Sequence, residues 1–233
     1  MALQREHTGV GHRTASAFAG TLSRLKRNGC NLLVVGTDHD PTWSEACCRL
    51  LGYEGAEPRR RVVVTADSSV ASVRDRLPAI SAIPGGQRAT IIDWQTPTRS
   101  ASATAEPQPS GPRTVQIEAN DLAGLGIEIR ETLFGHEKTI EPGRLRLCFD
   151  SLTPLICRFD HETVFRFLHL VTGSVDRTHA MGHYHLPVGR NAEATRTVAP
   201  LFDAIVELRT ESGHSEQRWH VPEEDLLTDW LPV

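Results

Sequence analysis

The chain has 233 residues, a net charge of -4, a pI of about 6.3, and 39% hydrophobic against 23% charged residues. That suits one α/β domain with a sizeable core, and it leaves no basic footprint for nucleic acid. No run approaches the roughly 18 apolar residues that a membrane helix needs, and the N-terminus carries no apolar leader, so a cytoplasmic protein is expected.

Residues 1–12 are polar and read as a flexible N-terminus, so the domain is expected over 13–233. Phe18, Leu22 and Leu25 then recur at helical spacing, with Asn28-Gly29 as the stop. Asn31 to Gly36 (NLLVVG) reads as a buried strand running into Thr37-Asp38-His39-Asp40-Pro41. A helix is predicted over Thr42 to Leu51, with Thr42 and Glu45 as a capping box and Gly52 as its end. Arg61 to Ala66 is a third element, a strand, and Asp67-Ser68-Ser69 caps the helix after it. The run Arg59-Arg60-Arg61 at that strand's entry reads as a solvated turn. Ala89 to Asp93 (ATIID) is another strand. Thr96 to Pro112 (TPTRSASATAEPQPSGP) has no large apolar residue and reads as a disordered insertion.

Val115 to Ile117 reads as a short strand. Leu122, Leu125, Ile129 and Leu133 then share one helical face, with Asn120 or Asp121 as the cap. Leu145, Leu147 and Phe149 alternate with Arg146 and Cys148 in a strand that ends in Asp150-Ser151. In open α/β sheets the C-terminal mouth of such a strand is where ligands bind. Asp160 caps the next helix, whose Val164, Phe167, Leu168 and Val171 lie at i, i+3, i+4 and i+7. His179 to Leu186 reads as a strand and Asn191 to Phe202 as a helix broken by Pro200. Ala204 to Thr210 and Glu216 to Val221 close the chain as a hairpin. Alternating strands and helices predict a mainly parallel sheet with helices on both faces and a C-terminal antiparallel hairpin.

In this order the elements resemble a RecA/KaiC-like domain of the P-loop ATPase superfamily. The phrase FDSLTPLI is similar to the "IDSLT" strand of the KaiC branch. With the closing DWLPV, it also resembles a haloarchaeal group of RecA-superfamily proteins that lacks the Walker A motif. The resemblance runs from about Phe18 to Val233. It implies a site for ATP and magnesium at the mouth of the first and central strands, with Asp150 as the magnesium-binding carboxylate.

The phosphate loop itself departs from the pattern. A P-loop needs G-x-x-x-x-G-K-[ST], so that backbone N–H groups cradle phosphates and the lysine and hydroxyl reach them and the metal. Gly36 takes the first position, but the second glycine is Pro41, the lysine position is Thr42 and the hydroxyl position is Trp43. Proline offers no N–H and an indole cannot ligate magnesium. Asp38 and Asp40 place two carboxylates where a polyphosphate would sit. The resemblance also implies a pair of glutamates after the second strand to activate water. Asp67 and Ser68 stand there instead, and Asp67 is one methylene shorter than glutamate.

The expected function is therefore a non-catalytic regulatory or protein-interaction module, a pseudo-ATPase. It would need no cofactor, and its partner would be another protein or a second copy of itself through RecA-type surfaces. The alternative is an ATPase with an atypical phosphate loop, binding ATP and magnesium through Gly36, Thr37, Asp38, Asp40, Thr42, Asp150 and Ser151, with Asp67 and Asp150 catalytic.

Two further sites are open. Asp67, Asp93 and Asp150 all end strands and could gather at one mouth to hold magnesium. His183 and His185, two apart on a strand, share a face with His179, and could hold a transition metal. No Cys or carboxylate lies near them in sequence to complete a tetrahedral set. The five cysteines (Cys30, Cys47, Cys48, Cys148 and Cys157) form no C-x-x-C and read as small hydrophobes in a reducing compartment. No G-x-S-x-G or G-x-G-x-x-G occurs. Of the 25 basic residues only Lys26 and Lys138 are lysines, which suits a high-GC genome or a salt-adapted cytoplasm.

Overall fold

The computed structural model describes residues 18–37, 42–52, 59–76, 89–95, 112–137 and 140–233. The expected flexible N-terminus, the loop carrying Asp38, His39, Asp40 and Pro41, and nearly all of the Pro/Ser/Thr-rich stretch lie outside those residues.

A helix over residues 18–28 (α1) leads into β1, Cys30–Val35. Then follow α2 (Thr42–Leu51), β2 (Arg60–Thr65), α3 (Val70–Arg76), β3 (Ala89–Gln95), β4 (Arg113–Glu118) and α4 (Leu122–Glu137). The second half carries β5 (Leu145–Phe149), α5 (Thr153–Arg158), α6 (His161–Arg177), β6 (Met181–Leu186) and α7 (Glu193–Val198). It closes with β7 (Ala204–Glu211), β8 (His214–Val221), β9 (Leu226–Leu227) and β10 (Leu231–Pro232).

The ten strands among the described residues join one sheet in the order β10-β8-β7-β1-β6-β5-β2-β3-β4, with β9 on β8. From β7 to β4 the pairing is parallel, and β7 with β8 forms the expected antiparallel hairpin. From β2 the chain moves on to β3 on one side, and from β5 to β6 on the other. The crevice between β2 and β5 is thus a point where the winding reverses, the usual place for a ligand in such sheets.

Period-two alternation decides which residues meet which helices. Leu33 and Val35 of β1, Val62 and Val64 of β2, and Leu147 and Phe149 of β5 join one core with α4 and α6. Leu32 and Val34 face the other way, toward Leu25 of α1, Ala46 of α2 and Trp219 of β8. Val63 and Cys148 also face that way, under Cys47, Leu51 and Val73. On α4, Leu125, Ile129 and Leu133 are fully buried, as their spacing predicts, and each stabilises the packing by about 1.5–3 kcal/mol.

Caps fall largely where the residue types place them. The Asp121 carboxylate accepts from Gly124 N–H (2.7 Å) and the Asp160 carboxylate from Thr163 N–H (2.9 Å). Gly52, at a φ of 78°, ends α2 in the left-handed region that glycine favours.

Two readings change. Thr42 is no capping-box residue, because its hydroxyl turns to the β7–β8 hairpin. Arg61 does not sit in a solvated turn. It is buried, and its guanidinium donates to Leu51 O (3.2 Å) and Gly52 O (2.6 Å), so it caps the C-terminal carbonyls of α2.

A polar knot that sequence gave no sign of sits at the start of β1. Asn31 Nδ2 donates to Asp176 Oδ1 (2.7 Å), Asn31 N–H donates to Asp203 Oδ2 (2.6 Å), and Tyr184 donates its hydroxyl proton to Asn31 Oδ1 (3.0 Å).

Candidate functional site

The mouth between β2 and β5 is built from Asp150 and the turn that follows β2. Asp150 Oδ1 accepts from Ala66 N–H (2.7 Å) and Oδ2 from Ser68 N–H (2.8 Å). Both oxygens are therefore engaged by the neighbouring turn. Burial pushes the Asp150 carboxyl above its ordinary pKa, and the amide donors of Ala66 and Ser68 only partly offset it. Ser151 is buried beside it, and its hydroxyl accepts from Thr153 N–H at 3.3 Å, a local turn bond. Asp93, on β3, accepts from the Thr65 hydroxyl at 3.1 Å. Asp67 is exposed.

The rest of the sequence-expected nucleotide set has structural partners too. Gly36 N–H donates to Val188 O at 3.0 Å, and a Cβ on Gly36 would lie 2.6 Å from Leu208 O. That glycine is required by its close approach to β7. Thr42 Oγ1 is buried, 2.9 Å from both Thr210 Oγ1 and Ser215 Oγ. Trp43 packs against His185 with ring centroids 5.0 Å apart. Thr37 is exposed at the end of the described loop, and Asp38 and Asp40 lie beyond it.

A second constellation lies deeper, under α2. Cys47, Cys148, His183 and His185 are all buried, and each offers a ligand atom within 4.8 Å of every other. Strand register assembles three of the four. Cys148 of β5 stands directly beside His183 of β6, and His185 follows two residues on, on the same face. Helix α2 lies across this face and lowers Cys47 onto it, with the two sulfurs 3.4 Å apart. The His183 and His185 rings stand edge to face at 5.2 Å. Neither His183 Nε2 nor His185 Nε2 has a hydrogen-bond partner.

The electrostatics follow from that crowding. The Cys47 thiol is held well below its ordinary pKa, chiefly by the Cys148 sulfur beside it and further by the two imidazoles, against the opposing effect of burial. Burial pushes His183 toward its neutral form. Two cysteine sulfurs and two imidazoles are a donor set for a transition metal of borderline softness.

The sequence leaves a metal at His183 and His185 open, but it does not point to Cys47 and Cys148 as their neighbours. Cys47 and Cys148 lie 101 positions apart, and neither is near the histidines in sequence. The one usable signal was that Cys148 and the two histidines occupy inward positions on strands that a β5–α–β6 unit would make neighbours. His179 does not belong to the set. It precedes β6 in the left-handed region (φ 48°), is exposed, and bonds through Nδ1 to Asn28 O at 3.0 Å. The cysteines also divide: Cys30, Cys47 and Cys148 are buried, Cys48 is half-buried and Cys157 is exposed on α5.

These observations define a KaiC/RecA-like α/β domain. Its fold is shared with the KaiC-like protein PH0186 from the hyperthermophilic archaeon Pyrococcus horikoshii OT3, with a TM-score of 0.54 and 11% identity over 88% of this chain and 82% of that one. At that identity the likeness is one of fold alone. Residues 29–208 match DUF7504, a family of unknown function, and the chain belongs to that family. No curated protein matches the sequence. Among the described residues no helix is long and apolar enough to cross a membrane.

Proposed function

We propose that the chain is a non-catalytic KaiC/RecA-like module that works by binding a protein partner or a second copy of itself, in a regulatory role in the cytoplasm. The observation that carries this reading is the state of Asp150. In a working site this carboxylate faces the metal, and metal-bound phosphate is where the chemistry occurs. Here both of its oxygens accept backbone N–H bonds from Ala66 and Ser68. Gly36 N–H and the Thr42 hydroxyl, which would meet phosphate and metal, are likewise engaged within the chain. Trp43 fills the position of the metal-binding hydroxyl and packs on His185.

Calorimetric titration with ATP and magnesium at high salt tests this reading. The expected result is no binding tighter than about 100 μM. Tighter binding that is lost in Asp150→Ala would overturn it and support an ATPase with an atypical phosphate loop instead.

A further inference from the structure

We propose that Cys47, Cys148, His183 and His185 form a closed tetrahedral zinc site that fastens helix α2 to strands β5 and β6. The four donors are the set that structural zinc sites use, two thiolates and two imidazoles, with no position left for water or substrate.

Geometry is the first support. A tetrahedral zinc with Zn–S near 2.3 Å and Zn–N near 2.0–2.1 Å holds its sulfurs roughly 3.8 Å apart and its other donors somewhat closer. The sulfurs here lie 3.4 Å apart, and all four donors fall within 4.8 Å of one another. Two sulfurs at 3.4 Å are far beyond a disulfide's length of about 2.05 Å, so the pair is not covalently joined.

The second support is the pair of orphaned nitrogens. His183 is 1% exposed and His185 3%, and the Nε2 atom of each is buried without a hydrogen bond. A buried polar nitrogen without a partner is costly, and two of them beside two sulfurs make a cluster that is unfavourable as an empty core and favourable as a ligand shell. A purely structural role would be served by apolar side chains, as the surrounding Val63, Ile91 and Val73 show.

A small pocket lined by Cys47, Cys48, Leu51, Val63, Val73, Cys148 and Asp150 adjoins the two cysteine ligands. The inference is independent of whether nucleotide binds, because none of the four ligands belongs to the nucleotide set.

The test uses the full chain, purified without a histidine tag and refolded with zinc present. Elemental analysis should give about one zinc per chain. X-ray absorption at the zinc edge should show two sulfur and two nitrogen neighbours at about 2.3 and 2.0 Å. Replacement by cobalt should produce the visible ligand-field bands of a tetrahedral ion and a thiolate charge-transfer band. Cys148→Ser and His183→Ala should each lose stoichiometric zinc, whereas Cys157→Ser, at the exposed cysteine, should keep it. A wild-type chain that holds well under one zinc per chain and gives no tetrahedral cobalt spectrum would overturn the proposal. So would a zinc shell of oxygen and nitrogen only. Because these readouts are made on the wild type, a variant that fails to fold does not leave the question open.

Discussion

Two polar regions lie near one another in this sheet, and the groups expected to bind in each differ in how their hydrogen bonds are met. At the mouth, the carboxylate of Asp150, the hydroxyls of Thr42 and Ser151 and the N–H of Gly36 all have partners inside the chain. In the cluster under α2, two imidazole nitrogens have none. Sequence motifs point first to the mouth, since in open α/β sheets ligands bind at the carboxyl ends of the strands. Hydrogen-bond accounting points to the cluster. A polar group whose bonds are completed internally needs no further partner, and a buried one whose bonds are open calls for an explanation, of which a bound ion is one.

The comparison breaks most visibly if the cluster is dismantled. Cys148→Ser removes a zinc ligand and leaves the remaining donors buried without their ion. Loss of a structural metal belongs to the most damaging class of substitution, and a loss on the order of 4 kcal/mol is expected. Thermal unfolding with and without a strong chelator checks it. The chelator should lower the wild-type midpoint and leave the variant's nearly unchanged. Cys157→Ser, at an exposed site, should fall within about 0.5 kcal/mol of wild type.

The mouth should respond more mildly, and without any change in metal content. Asp150→Ala leaves the amides of Ala66 and Ser68 without their acceptor, at a cost of about 2 kcal/mol. Urea unfolding measures the loss, and elemental analysis of the same sample should still find its zinc. If the zinc goes as well, the two regions are one unit and the contrast fails. Thr42→Val is milder again. It removes the hydroxyl that ties α2 to Thr210 and Ser215, for about 1 kcal/mol.

The contrast also explains what could be read from the sequence. The strands were legible because buried parallel strands are nearly continuous apolar runs, and NLLVV, RVVVT and LRLCF are such runs. The helix faces of α4 and α6 were legible from their spacing. Partners brought together by strand order were not. Cys148 meets His183 only because β5 and β6 are neighbours, and Cys47 meets both only because α2 crosses above them. Which of Cys47 and Cys48 points inward depends on the helix's rotation, which the sequence leaves open. Arg61 was misread for a related reason: its neighbours Arg59 and Arg60 suggested a surface run, while the carbonyls it caps, Leu51 and Gly52, lie across the loop before β2. The tail gave no periodic signal at all, because β9 and β10 are two residues each and are held by β8.

The smallest effect expected concerns the ionisation of Asp150, and it bears on whether the mouth could hold a cation. Burial raises its carboxyl pKa above the ordinary value, while the two amide donors act in the opposite direction and do not cancel the rise. The folded chain therefore binds this proton more tightly than the unfolded chain. Between the unfolded value, near 3.9, and the raised folded value, the folded state carries more protons, so stability contributed by this group falls as pH rises through that window. The stability of wild type relative to Asp150→Asn should accordingly grow as pH is lowered from 7 through the folded value, and level off below about 3.9. Urea unfolding of both proteins at several pH values reads the difference directly, with every other titrating group cancelling. A difference that shrinks on acidification would mean that the amides of Ala66 and Ser68 hold the carboxylate ionised more strongly than burial opposes it. In that case the fold would favour the carboxylate form, with both oxygens held by the amides of Ala66 and Ser68.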